Sequence, residues 1–210
     1  MSKLFHFIKK IPIDFGQANL RIITKGKLIA MDLVPPGNGK KALDIGCRAG
    51  NQSERLKSDN YSVESIDIET DYPDAKIVDA NKALPYSDDS FDLIWSSEVI
   101  EHLKDPEAFK KEITRIIKST GDIILTTPNS AFWIYYILRL FRKRPKDIQN
   151  PTHIHFFSIS DIKKLFPLAK IYGFFPYLFF KFRITRLIGF LSPTFVIHIN
   201  NQTLNLIKQN

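Results

Sequence analysis

Leu43-Asp44-Ile45-Gly46-Cys47-Arg48-Ala49-Gly50 is the stretch on which the reading of this chain turns. With Lys40-Lys41-Ala42 before it, it predicts a short buried strand that runs into a tight turn and then opens a helix. Glycine at such a turn lets the backbone bend sharply and approach a ligand, and a helix N-terminus presents N–H groups without partners inside the helix. Asn51 is the expected cap of that helix, with Glu54 three residues on completing a box-like arrangement. A dinucleotide fingerprint needs Gly at relative positions 1, 3 and 6, whereas Gly46 and Gly50 stand at 1 and 5, which disfavours a nicotinamide dinucleotide.

Working outward, residues 62–68, 75–78 and 91–95 read as further strands. A well-marked helix follows, with Asp105 as cap, Pro106 at its first position and Phe109, Ile113, Ile116 and Ile117 on one face. Gly121 is expected to close it, and residues 122–127 form a fifth strand. Strands alternating with helices at this spacing predict βαβ units and a mostly parallel sheet covered on both faces. Upstream, residues 18–33 read as a helix stopped by Pro35-Pro36-Gly37. Downstream, residues 131–142 and 160–166 read as helices with a basic loop, 143–146, after the first. Residues 179–184 and 194–199 read as strands that pair antiparallel at the sheet edge.

At 210 residues the chain fits one domain with a sizeable core, and its 44% hydrophobic and 25% charged composition is not that of a disordered chain. The lone Cys47 excludes an internal disulfide and is compatible with a reducing compartment. Residues 1–10 lack the continuous apolar stretch and cleavage site of a signal peptide, and no apolar run reaches the length of a membrane span. The net charge of +8 is unevenly spread. Residues 42–130 hold 18 Asp/Glu against 10 Lys/Arg, while the flanks hold 20 Lys/Arg against 4 Asp/Glu. An acidic middle between basic, aromatic ends predicts a ligand-binding half beside a surface that meets something anionic, or else a solvated basic face.

A second site element is Asp67, 23 residues after Asp44 and at the end of the next strand, where a carboxylate accepts hydrogen bonds from ribose hydroxyls; Glu69 is the neighbouring alternative. The segments Leu43 to Cys47, then Asp67, then Asp79-Ala80, Leu84-Pro85-Tyr86 and Ser90-Phe91-Asp92-Leu93-Ile94 follow one another in order. Ser97-Glu98-Val99-Ile100-Glu101-His102-Leu103 and Thr126-Thr127-Pro128-Asn129 complete the series. As a set they resemble the small-molecule class I methyltransferases, and most nearly the branch with the ubiquinone-biosynthesis O-methyltransferases. His153-Ile154-His155-Phe156-Phe157-Ser158 before a short helix is similar to that family too.

The resemblance implies an α/β, Rossmann-like, seven-stranded, mostly parallel sheet with helices on both faces and an antiparallel edge strand, and S-adenosylmethionine as cofactor. It implies one domain over residues 1–210, with a helical cap (1–35), a cofactor-binding core (40–129), a substrate-side insert (130–169) and C-terminal edge strands (170–210). Asp44, Gly46 and Cys47 would lie against the methionine part of the cofactor, and Gly50 would open the helix beneath it. Asp67 and Ile68 would hold the ribose side, Asp79 and Ala80 the adenine, and Ser96 with Ser97 would sit near the sulfonium. Arg48 stands where the family has Gly, which strains the turn if its backbone requires positive φ.

Methyl transfer needs the nucleophile held close behind an activated methyl, and for an alcohol or phenol a general base adds about 10²–10⁴-fold. His102, His153 and His155 are the candidates, because imidazole titrates near neutral pH. No His/Cys cluster has zinc-site spacing, so no metal is expected. The ends, Lys3-Leu4-Phe5-His6-Phe7-Ile8-Lys9-Lys10, Phe132 to Tyr136 with Arg139, Arg142, Lys143 and Arg144, and the aromatics of 174–190, are basic and apolar together. Such stretches lie in a bilayer interface. The expectation is a cytoplasmic enzyme meeting an anionic membrane surface and methylating a small-molecule, lipid-linked or glycan acceptor. A nucleic-acid substrate or a non-catalytic cofactor-binding subunit are the alternatives.

Overall fold

The computed structural model of the chain describes residues 24–175 and 182–209. The basic, aromatic N-terminal segment, the first part of the helix expected over 18–33, and residues 179–181 of an expected strand lie outside them. The helix is present as α1, Lys25–Met31, capped by the Thr24 hydroxyl, which accepts from the Lys27 N–H. Then come β1 (Lys41–Ile45), α2 (Asn51–Ser58), β2 (Ser62–Asp67), β3 (Ala75–Ile77) and β4 (Phe91–Ser97). A 3-10 turn (Ile100–His102) leads to α3 (Pro106–Ile116), β5 (Ile117–Pro128) and α4 (Trp133–Leu140). The remainder is α5 (Ile159–Leu165), β6 (Lys170–Phe174), β7 (Arg183–Ile184), α6 (Ile188–Leu191), β8 (Thr194–Ile199) and α7 (Asn201–Gln209).

The strands form one sheet in the order β3-β2-β1-β4-β5-β8-β6-β7. Pairings from β3 to β5 are all parallel, and β8 runs antiparallel to both β5 and β6. Side chains alternate between two cores, as the two-residue period of a sheet covered on both faces requires. Ala42, Leu93, Trp95 and Ile124 pack under α1 and α2 against Ile29, Ala30 and Leu56. Leu43, Ile45, Ile94 and Ile123 face the other way, toward Phe109, Ile113 and Ile116 of α3, Ile162 of α5 and Leu204 of α7.

Several local expectations change. Asn51 is the first helical residue of α2, and Gly50, at φ 74°, is its cap, without a side-chain hydrogen bond. A β-carbon at Gly50 would lie 2.3 Å from the Tyr72 ring, so the turn is closed by glycine rather than by an Asn cap. Helix α3 keeps its predicted start, with Asp105 accepting from the Glu107 and Ala108 N–H groups at 3.0 Å each. It ends at Ile116 rather than at Gly121, and Ile117 already belongs to β5. Phe91 pairs with Ile117 but Leu93 with Asp122, so β5 bulges, and Gly121 fits there because a β-carbon would press on the Asp92 carbonyl at 2.8 Å. The strand Thr194–Ile199 is not at the edge but between β5 and β6; β6 itself was not anticipated, and the antiparallel edge strand is the two-residue β7, which makes the sheet eight-stranded.

Candidate active site

The sheet order reverses direction between β1 and β4, and in open α/β sheets the ligand crevice opens at the carboxyl ends of the strands at such a switch point. A crevice of ≈ 580 Å³ opens there. Its walls come from the turn after β1, the tip of β2, the loop after β3, the segment after β4 and the loop 150–153. Of the sequence candidates, Gly46, Cys47, Asp67, Ile68, Asp79, Ala80, His102 and His153 line it, as do Ser97 and Glu69. Asp44, Gly50, Ser96 and His155 do not.

The β1 turn is held by the Gly46 N–H, which donates to Ile66 O at 2.8 Å. Gly46 has φ 80°, and a β-carbon there would lie 2.2 Å from Val99 Cγ2. Asp67 closes the turn from the other side, accepting from the Arg48 N–H at 2.8 Å and the Glu69 N–H at 3.3 Å. A carboxylate accepts about four hydrogen bonds, so lone pairs remain for a ligand. Asp79 Oδ1 takes both the N–H and the side-chain amide of Asn81 at 2.9 Å. Cys47 is a buried thiol that burial pushes up to about 11, so it is no nucleophile at neutral pH.

Arg48 does sit at positive φ, 48°, so the strain foreseen for it is present. A non-glycine residue there costs about 1–2 kcal/mol. Arg48→Gly is expected to raise the unfolding free energy by about 1 kcal/mol in chemical denaturation, since glycine's extra chain entropy offsets part of the relief. An unchanged or lower stability would show that the arginine side chain holds the turn.

Asp44 lies beneath the turn, 1% exposed. Its Oδ2 accepts from Ser53 Oγ at 2.6 Å, and Ser53 Oγ accepts in turn from Ser65 Oγ at 2.8 Å. Burial pushes its pKa from 3.8 up to about 7, opposed by the Ser53 bond and the Lys27 charge and assisted by the Asp67 charge. Between those pH values the folded form holds a proton that the unfolded chain has released. This group's contribution therefore falls as pH rises from about 4 to about 7, by at most about 4 kcal/mol, and is level above. Asp44→Asn is expected to gain stability relative to the parent over that window; parallel urea-unfolding profiles at pH 4 and pH 8 would contradict this.

The far end of the crevice holds a cluster that the sequence did not announce. The 3-10 turn after β4 places Glu101, fully buried, beside His102. The loop that returns from α4 docks on the same turn, its Ile154 and His155 N–H groups both donating to Glu101 O at 2.9 and 3.0 Å. That clamp sets the His153 ring 4.7 Å from the His102 ring, and its Nε2 lies 3.9 Å from Glu101 Oε1. Glu101 Oε2 accepts from Thr127 Oγ1 at 3.0 Å, while Oε1 is buried with no hydrogen-bond partner among the described residues. His155 turns away and stacks on Phe157.

Electrostatics follow from burial. The Glu101 carboxyl is pushed well above its ordinary range by desolvation and by the nearby Glu98 charge. Desolvation lowers His102, and it lowers His153 to about 4 with help from His102. Both rings are therefore neutral at pH 7. Thr152 O can only accept, so at 3.1 Å from His102 Nδ1 it places the proton on that nitrogen and leaves Nε2 as an acceptor. One ligand atom from each of Glu101, His102 and His153 fits within a span of 4.8 Å, a spacing one divalent cation would bridge. Lys27, Asn150 and Thr152 also line the crevice, although no motif marks them.

Strand order, the reversed β8 and a crevice walled by Gly46, Asp67 and Asp79 define a class I methyltransferase fold. Residues 22–170 match the family described as a methyltransferase domain, and the chain belongs to that family. It is similar to the 2-methyl-6-phytyl-1,4-hydroquinone methyltransferase of Synechocystis sp., 36% identical over 130 residues that make up 55% of this chain and 40% of that one. The ubiquinone biosynthesis O-methyltransferase of Escherichia coli is 25% identical over 136 residues, 53% of this chain and 55% of that one. In fold, an S-adenosylmethionine-dependent methyltransferase from Mesorhizobium loti superposes with a TM-score of 0.64 at 14% identity, over 83% of this chain and 97% of that one. The chain spans from 30% to 55% of the length of these and other curated relatives, and they do not favour the ubiquinone branch over the others.

Proposed function

We propose that the chain methylates a hydroxyl of a small, largely apolar acceptor, using S-adenosylmethionine held between the β1 turn and the tip of β2. The observation that carries this is the pairing, in one crevice, of the Gly46–Asp67 grip with His102 and His153, behind which Glu101 lies buried. The residues fit the cofactor. Gly46 lines the crevice with no side chain to narrow it, Asp67 keeps lone pairs for a diol, and Asp79 stands one strand further along with Ala80 beside it. Asp44, beneath the turn, acts as a positioning residue through Ser53 rather than as a ligand contact. Held there, the cofactor would supply an electrophilic methyl group for the acceptor oxygen, and His102 Nε2 would take the proton that the acceptor hydroxyl gives up. His102 suits that task because the Thr152 carbonyl fixes its tautomer. The names of two relatives, a 2-methyl-6-phytyl-1,4-hydroquinone methyltransferase and a ubiquinone biosynthesis O-methyltransferase, support an apolar phenolic acceptor.

A second reading of the cluster is favoured by the unpartnered Glu101 Oε1: a divalent cation bound by Glu101, His102 and His153 would compensate it and hold the acceptor oxygen directly. Transfer of labelled methyl to a panel of hydroxylated aromatics tests the activity. Label on an oxygen is the expected result, and label on carbon, nitrogen or RNA instead would overturn the acceptor assignment. Chelator and Mn²⁺ addition in the same assay separates the readings, because a base alone is insensitive to both.

A further inference from the structure

The end of α4 and the short helix α6 together expose an apolar surface that the catalytic reading does not use. Tyr136, Ile137, Leu140 and Phe141 are all exposed, Leu140 by 81% and Phe141 by 72%. Leu187 is 73% exposed, and Phe190 lies with its ring centre 6.3 Å from that of Tyr136, which makes the two helices one surface. Buried Asn129 holds them together: from the end of β5, just ahead of α4, its side-chain amide donates to Gly189 O at 2.8 Å and Ser192 O at 2.6 Å.

Charge decides what meets this surface. Exposed Arg139, Arg142, Lys143, Arg144 and Lys146 follow one another around the apolar residues, and Arg183 and Arg186 approach from the α6 side. Asp147 is the one acid in 131–149, and it is turned back on the Arg144 N–H at 2.8 Å. Arg142 and Leu187, two exposed residues of the patch, both adopt positive φ, 56° and 52°. At Arg142 this is the left-handed residue that ends α4, with the Arg142 and Lys143 N–H groups turned back on Arg139 O and Leu138 O, and Leu187 caps α6.

We propose that this face docks on an anionic lipid bilayer, with Leu140, Phe141, Leu187 and Phe190 in the interfacial layer and the basic residues at the headgroups. Apolar side chains ringed by Lys and Arg, with almost no acid, match that partner, whereas a protein groove would present acids or a matching apolar ridge. No described helix is long and apolar enough to cross a membrane. Docking is connected to the crevice: Tyr135 of α4 accepts from Gln149 Nε2 at 3.1 Å, and Gln149 Oε1 meets His153 Nδ1 at 3.3 Å. Seating α4 thereby steadies the loop that carries His153.

The test is co-sedimentation of the cofactor-free protein with phosphatidylcholine vesicles, with and without phosphatidylglycerol, beside the variant Leu140→Asp/Phe141→Asp. Expected is binding to the anionic vesicles that weakens as salt rises and falls at least about tenfold in the variant, whose melting temperature and cofactor binding are unchanged because both residues are exposed. Absence of binding to anionic vesicles at low salt, or equal binding by the variant, overturns the proposal. So does a parent that is dimeric in light scattering and made monomeric by the same two changes, which would make the face a self-interface. Because no cofactor or turnover enters the measurement, its failure leaves the methyltransferase reading standing.

Discussion

Gly46→Ala is expected to weaken binding of S-adenosylmethionine severely and to lower stability by about 2–5 kcal/mol. Two costs combine at this position. An L-residue at φ 80° loses about 1–2 kcal/mol, and a β-carbon 2.2 Å from Val99 Cγ2 forces a displacement of the kind that costs about 1–3 kcal/mol in packed interiors. The turn cannot move away, because the Gly46 N–H and the Arg48 N–H are both committed to β2, through Ile66 O and Asp67. Val99 must move instead, and it directly precedes the 3-10 turn that carries Glu101 and His102. One methyl group therefore disturbs both halves of the crevice, and the expected loss of affinity is about 100-fold or more. Calorimetric titration together with thermal melting checks it; a variant that binds as the parent does would mean the crevice is not where the cofactor sits.

The second large effect is expected at the cluster. His102→Ala should lower turnover about 10²–10⁴-fold with cofactor affinity preserved, and His155→Ala should leave turnover as it is. The contrast follows from the fold: the Glu101 carbonyl clamp presents His153 and directs His155 onto Phe157. Glu101→Gln separates the two accounts of the cluster. If His102 works as a base, Gln keeps the hydrogen bond to Thr127 and the loss is modest. If a cation is bound, removing the one anionic ligand of the three costs nearly all metal-dependent turnover, and calorimetry with Mn²⁺ loses its signal. Turnover unchanged in His102→Ala would remove His102 as the base, and turnover unchanged in His153→Ala and His155→Ala as well would remove general-base histidine from the mechanism.

Much of this was legible in residues 40–129, where every element is local: strands read from apolar runs, α3 from Asp105-Pro106, and the first turn from its glycines. Asp67 and Asp79 were legible for the same reason, since one terminates β2, beside β1, and the other follows β3, the next strand out. What escaped depends on distant pairing. Nothing local says that Thr194–Ile199 inserts between β5 and β6 rather than pairing with residues 183–184. Gly121 looked like a helix stop because a bulge and a C-terminus both call for glycine. Glu101 and His153 are 52 residues apart, and only the two backbone bonds to Glu101 O bring them together. Adjacent Glu101-His102 just past a strand end was the one available signal. Asp44 and Ser96 carry the right chemistry on the right strands, yet the two-residue alternation buries them below the crevice floor.

The most direct measurement is calorimetric titration of S-adenosylmethionine into the parent protein and into Asp67→Ala. The account predicts one site per chain in the parent, with Kd between about 1 µM and 1 mM as for ordinary enzyme substrates, and a loss of detectable heat in the variant. No binding by the parent, or the same affinity in both proteins, would contradict it.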